Sequence, residues 1–137
     1  MPSQFTCDGE DISCPLTISE VPPNAKTLAL IMDDPDAVPV AGKVWDHWIV
    51  FNIPPSVKEI KQGTEPEGTG GNSSWGKTGY GGPCPPSGTH RYFFKLYALD
   101  IELNIPEGSD KSTVEKAMED NIIEKAELIG LYRRKGK

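Results

Sequence analysis

A mainly β fold is what this sequence predicts, and three observations carry that reading. Three short runs rich in β-branched and aromatic residues stand between turn formers: KTLALIMD at 26–33, HWIVFNI at 47–53 and RYFFKLYALDI at 91–101. The 14 Gly and 13 Pro in a chain of 137 residues favour many turns over long helices. Only one segment carries a clear helical signature. A chain of this length ordinarily builds one core, so a single domain over 1–137 is expected.

The first run is followed by Pro35, which has no amide to give to a ladder, so that strand should stop near Asp33 or Asp34. The second is closed by Pro54 and Pro55, and the third is the strongest strand signal in the chain. Between them lies EPEGTGGNSSWGKTGYGGPCPPSG, more than twenty residues without a secondary-structure period. Such a loop is uncommon in a small domain unless it is functional or disordered, and Trp75 and Tyr80 can bury enough area to hold it down. Ser112 followed by Glu115 resembles a capping box, and Val114, Ala117 and Met118 share one helical face, which predicts a helix over roughly 112–120. The stretch ELIGLYRR at 127–134 fits a strand or more helix, and RRKGK at 133–137 reads as a solvated end.

Charge and cysteine usage narrow the function classes. With 14 Lys and Arg against 20 Asp and Glu, the net charge of -6 sets a repulsive average field before a nucleic-acid backbone, so no nucleic-acid partner is expected. No run of 18 apolar residues is present, and MPSQFTCDGED lacks the basic and apolar regions of a signal peptide. No transmembrane segment and a cytoplasmic location are therefore expected. Cys7, Cys14 and Cys84 show no paired metal-ligand spacing, and their odd number fits reduced thiols, with a Cys7–Cys14 disulfide as the alternative.

Chemistry-bearing residues collect at strand ends: Asp34 and Asp36 in DPDA, His47 in WDHW and His90 in THRY. If the first two strands are antiparallel neighbours, Asp34, Asp36 and His47 meet at one sheet edge; the spacing leaves the position of His90 open. Carboxylates beside imidazoles push the rings towards the charged form, which suits a bound anion. In that reading the backbone N–H groups of the Gly-rich turn at 79–82 assist His90, while Trp45, Trp48 and Tyr92 form walls. Pro83, Pro85 and Pro86 keep the loop rigid before a ligand arrives, and Arg91 is a structural partner of a carboxylate, Asp36 being the candidate. Each tryptophan, Trp75 included, is by default a core residue. A metal site built from the two His and two Asp is an alternative that no short His-x-His or His-x3-His pair anchors, so no cofactor is expected. A Cys84–His90 thiolate pair is another, but Cys84 between two prolines reads as a loop thiol without a task.

The ordered blocks CDGEDIS, DPDA, DHWIVFNIP, GKTGYGGPCPPSGTHRYFFKLYALD and AELIGLY resemble the phosphatidylethanolamine-binding protein family in its short bacterial and archaeal branch, the Raf kinase inhibitor-like proteins. The resemblance covers nearly the whole chain. It implies a β-sandwich with a short helix near the C-terminus and a small pocket at one end. It also implies that Asp34, Asp36, His90 and Tyr92 line that pocket, with His47 as its second histidine, Trp45 as a wall and Pro85 and Pro86 as irregular backbone. The implied ligands are phosphate, carboxylates or phosphorylated headgroups. A non-enzymatic binding protein, with occupancy modulating a partner protein, is the function expected. The alternative is an inhibitor of serine proteases or kinases acting through surface loops such as 62–76. An exposed sheet edge left by a short N-terminal segment would favour a homodimer.

Overall fold

The computed structural model describes residues 1–135; the last two residues of the RRKGK tail lie outside the described residues. Seven strands and two short helices follow in chain order: β1 (Leu16–Thr17), β2 (Thr27–Asp34), α1 (Val38–Ala41), β3 (Trp45–Ile53), β4 (Glu59–Ile60), β5 (Thr69–Gly70), β6 (His90–Leu99), α2 (Lys111–Met118) and β7 (Ile122–Tyr132). The fold is mainly β, with a five-stranded antiparallel sheet in the order β5-β3-β2-β6-β7 and a two-stranded sheet of β1 and β4. The three predicted strands are β2, β3 and β6, the centre of the large sheet. ELIGLYRR, open between strand and helix in the sequence, lies mostly in β7.

Both faces of β2 are covered, which explains why its sequence alternates so weakly. Leu28, Leu30 and Met32 join Trp48, Val50 and Phe94 in a core that Ile18 and Ile60 of the small-sheet side complete. Ala29 and Ile31 point the other way, into a core with Ile49, Phe51 and Leu99 that Val114 and Met118 of α2 close. All eight residues of β2 are buried, so apolar side chains are needed at successive positions and not only at alternate ones.

Helix α2 starts one residue earlier than expected, because Asp110 and not Ser112 caps it: the Asp110 carboxylate accepts the Thr113 amide at 2.9 Å. Strand β3 carries two irregularities against β2. Met32 pairs with Trp48 and Asp33 with Asp46, leaving His47 without a counterpart; Leu28 pairs with Ile53 and Leu30 with Val50, which places Asn52 in the other irregular stretch. Asn52 takes a φ of 55°. Its side chain compensates by bonding both backbone groups of Leu103, donating to the carbonyl and accepting from the amide at 2.8 Å each.

The cysteine expectation is corrected. Cys7 and Cys84 form a disulfide across 77 positions, with Cα atoms 5.4 Å apart, and Cys14 is the free thiol. The pairing follows from the fold: the Cys7 amide donates to the Pro83 carbonyl at 3.1 Å, and Tyr80 Oη donates to the Phe5 carbonyl at 2.6 Å. The long loop is thus tied to the N-terminal segment. At the other end of the chain, Arg134 Nε donates to Asp8 at 3.0 Å, so this part of the basic tail is paired and not simply solvated.

Candidate functional site

A cavity of about 280 Å³ opens at the end of the large sheet where β2 stops and β6 begins. Strand β2 ends because Asp34 turns the chain: its Oδ1 accepts the Asp36 amide at 2.8 Å, starting a 3-10 turn at Pro35. That turn runs on into α1, which ends at Gly42 in the left-handed region with a φ of 79°. The segment from Asp34 to Ala41 therefore builds one wall, through Ala37, Val40 and Ala41.

The second Asp34 oxygen, Oδ2, accepts from Nδ1 of His90 at 2.6 Å, and both side chains are nearly fully buried. With Nδ1 committed to the carboxylate, Nε2 is the ring nitrogen left for a ligand. Tyr92 lies beside this pair and has no exposed surface. Its hydroxyl oxygen is buried with no hydrogen-bond partner among the described residues. Burial, reinforced by the charge of Asp34 and by the approach of the hydroxyl to that carboxylate, which falls short of a well-formed hydrogen bond, raises the phenol far above its ordinary pKa and keeps it a donor. An unpaired buried hydroxyl is costly, and a ligand that accepts from it removes that cost.

His47 is the unpaired residue of the β3 bulge, and its Nδ1 donates to the Gly81 carbonyl at 2.7 Å. Its ring centroid lies 5.3 Å from Tyr92 and 5.2 Å from Trp75, edge to face with both. Burial lowers its pKa, against the smaller opposing effects of the Gly81 carbonyl and the Asp34 and Asp46 carboxylates. The expectation that nearby carboxylates charge the ring is thus overturned at His47, where desolvation is the larger effect.

Of the residues singled out in the sequence, Asp34, Trp45, His47, Pro85, Pro86, His90 and Tyr92 line the cavity. Asp36 does not. It turns outwards and takes Arg91 as a two-pronged partner, with Nε and Nη2 both at 2.9 Å and the Arg91 amide at 2.8 Å. The guanidinium holds the Asp36 carboxyl below its usual range. Trp48, expected as a wall, is fully buried in the core and donates to Glu65 at 2.9 Å. Two of the four amides expected from the Gly-rich turn at 79–82 are taken: Gly81 donates to the His47 carbonyl at 3.1 Å and Gly82 to Asp11 at 2.8 Å.

Trp75 was missed as a wall residue. It packs edge to face on Trp45 at 5.5 Å, and a Cβ on Gly81 would overlap its ring, so that glycine makes the seat for the indole. The signal was present in a large aromatic inside a loop otherwise made of turn formers. Cys84 also lines the cavity, with its sulfur bonded to Cys7. Among the described residues no group of three or more His, Cys, Asp or Glu is placed to hold a metal ion. No described helix is long and apolar enough to cross a membrane.

A mainly β domain with a small cavity at the sheet end, walled by an Asp–His pair and aromatics, is the class that fold and geometry define. The sequence profile of the phosphatidylethanolamine-binding protein family matches residues 1–133, and the chain belongs to that family. It is 53% identical to a UPF0098 protein of Methanothermobacter thermautotrophicus over 141 aligned positions, covering 98% of this chain and 91% of the relative. A UPF0098 protein of Pyrococcus abyssi is 45% identical over 98% of this chain and 79% of its own length. Among solved structures, a homolog of phosphatidylethanolamine-binding protein from Chlamydia trachomatis superposes with a TM-score of 0.92 at 41% identity, covering 97% of this chain and 88% of that one. Escherichia coli YbcL, described as a member of the mammalian family, gives 0.83 at 34% identity, with 95% and 85% covered.

Proposed function

We propose that this chain is a non-enzymatic binding protein whose cavity takes a small oxyanion: phosphate, a carboxylate or a phosphorylated headgroup. The observation that carries the reading is the Tyr92 hydroxyl, buried and unpartnered beside a His90 ring whose Nδ1 is already held by Asp34. Together they offer one donor and one adjustable nitrogen to a ligand oxygen. The cavity volume of about 280 Å³ suits a headgroup-sized ligand. Cys84, the cysteine at the cavity, has its sulfur in a disulfide, which removes the thiolate that nucleophilic chemistry would use. Loop 62–76 is bonded along the sheet through Gly71 to Ile49 and Ser74 to Asp46, which favours a wall of the cavity over a free inhibitory loop.

Calorimetric titration with inorganic phosphate, acetate and phosphoethanolamine tests this. Tyr92→Phe should weaken the preferred ligand by about tenfold to a hundredfold, the value of one hydrogen bond to a charged group. His90→Ala should abolish binding while the circular dichroism spectrum is kept. Undiminished affinity in both variants would refute the reading.

A further inference from the structure

Three rings around the cavity divide unevenly into donors and acceptors. A carbonyl can only accept, so the 2.7 Å bond between His47 Nδ1 and the Gly81 oxygen fixes a proton of that ring on Nδ1. The other nitrogen, Nε2, has no bonding partner among the described residues, yet it is not one of the sealed atoms, so it keeps open surface on the ring edge away from Gly81. In the neutral ring that burial favours, Nε2 carries a lone pair: it accepts and cannot donate. Tyr92, its ring centroid 5.3 Å from that of His47, supplies the opposite, a buried hydroxyl with a proton to give. His90 Nε2 serves either way, because only Nδ1 is committed to Asp34.

The charges around the walls point the same way. Asp34 is the carboxylate of the lining, and His90 at most cancels it. The other carboxylates acting on His47 are those of Asp46 and Asp11, and Asp36 adds a fourth behind His90. Of the cations, Arg91 is held by Asp36 at 2.9 Å and Lys111 by Asp46 and Asp33 at 2.8 and 3.3 Å, while Lys43 stands 5.4 Å from the centre of the Trp45 ring. A dianion would bring more negative charge than these surroundings balance, and a monoanion brings half as much.

We propose that the cavity selects, among oxyanions, a phosphate group that still carries one proton, as a monoester or as the free ion. The P–OH donates to Nε2 of His47, a second oxygen accepts from the Tyr92 hydroxyl, and a third meets Nε2 of His90. This rests on the oxyanion reading of the cavity and narrows it. A fully ionised phosphate has acceptors only, so at His47 its oxygen would face a lone pair in place of a donor. A carboxylate anion and a phosphodiester have the same deficit, although each is a monoanion. His47 is in this reading the residue that sets specificity, through an acceptor that the β3 bulge turns inwards.

Calorimetric titration of the full chain from mildly acidic to mildly alkaline pH tests this with methyl phosphate, methylphosphonate, inorganic phosphate and dimethyl phosphate. Methyl phosphate affinity should fall about tenfold per pH unit once the ligand loses its second proton, near pH 6. Methylphosphonate holds that proton to higher pH, so its decline should start later by the difference between the two ligands. Dimethyl phosphate, which has no proton to give, should bind about tenfold to a hundredfold more weakly than methyl phosphate at acidic pH. His47→Gln puts an amide donor within reach and should flatten the methyl phosphate profile while the circular dichroism spectrum is kept. Inorganic and methyl phosphate carry the same group, and the tighter of the two at one pH tells a site built for the free ion from one built for an ester. A common midpoint for methyl phosphate and methylphosphonate would place the titrating proton on the protein and overturn the proposal; that comparison uses wild type alone, so it stands even if the variant does not fold. Dimethyl phosphate binding as tightly as methyl phosphate would overturn it too. Either result leaves the oxyanion reading in place, whereas no binding of any of the four ligands at any pH would end both.

Discussion

His47 and Asp36 are both polar residues beside a strand end, and the structure treats them oppositely. The β3 bulge swings His47 inwards, where burial depresses its pKa. The sign of the pH dependence follows: the unfolded chain binds this proton more readily than the native one, so His47 opposes folding once it must be protonated. Its contribution is complete above the ordinary imidazole value of about 6.5 and is lost as pH falls from there through the lower native value. Thermal melts between neutral and mildly acidic pH should show a decline that His47→Gln reduces; an identical slope in the variant would contradict this. Asp36, by contrast, stays at the surface with Arg91. The sequence placed both residues at the correct sheet edge, because Pro35 and the strand pattern mark where β2 ends. It could not separate inward from outward, because a bulge shifts side-chain direction without any change in residue type.

At the scale of the element, the loop before β6 and the irregular end of β3 depend on bonds between segments far apart in sequence. The Cys7–Cys84 disulfide closes a loop of 77 residues and holds a residue of the cavity wall. Cys7→Ser with Cys84→Ser should cost about 4.5 kcal/mol in chemical denaturation by the chain-entropy relation. Thiol titration of the unfolded, unreduced protein should find one thiol, that of Cys14, and three would refute the pairing. Asn52 is a second such point. Asn52→Ala removes two hydrogen bonds from the Leu103 backbone and places alanine at a positive φ, so a loss of about 2–4 kcal/mol is expected by the same measurement. Neither feature was legible. The spacing of cysteines carries no information about a contact across the whole fold, and an Asn before Ile-Pro-Pro looks like the start of a turn.

In the whole molecule, the two apolar cores lie on opposite faces of the same strands, so neither can be lost while the other keeps its floor. Unfolding monitored by near-ultraviolet and far-ultraviolet circular dichroism should therefore give coincident midpoints; separated transitions would show that the faces melt independently. The central strands were legible because apolar runs bounded by proline need little context. The short strands β1, β4 and β5 were not, because two residues each carry no period and owe their state to the strand beside them. Family resemblance supplied what periodicity could not, the meeting of His90 with Asp34.

The placing of the three tryptophans has a practical side. Trp45 and Trp75 face the cavity while Trp48 is sealed in the core, so two of the chain's indole fluorophores sit where a guest would arrive and the third supplies a steady background. Occupancy should register as a change in emission without any attached dye, and replacing Trp75 by phenylalanine should dim that signal while leaving the core indole as its own reference.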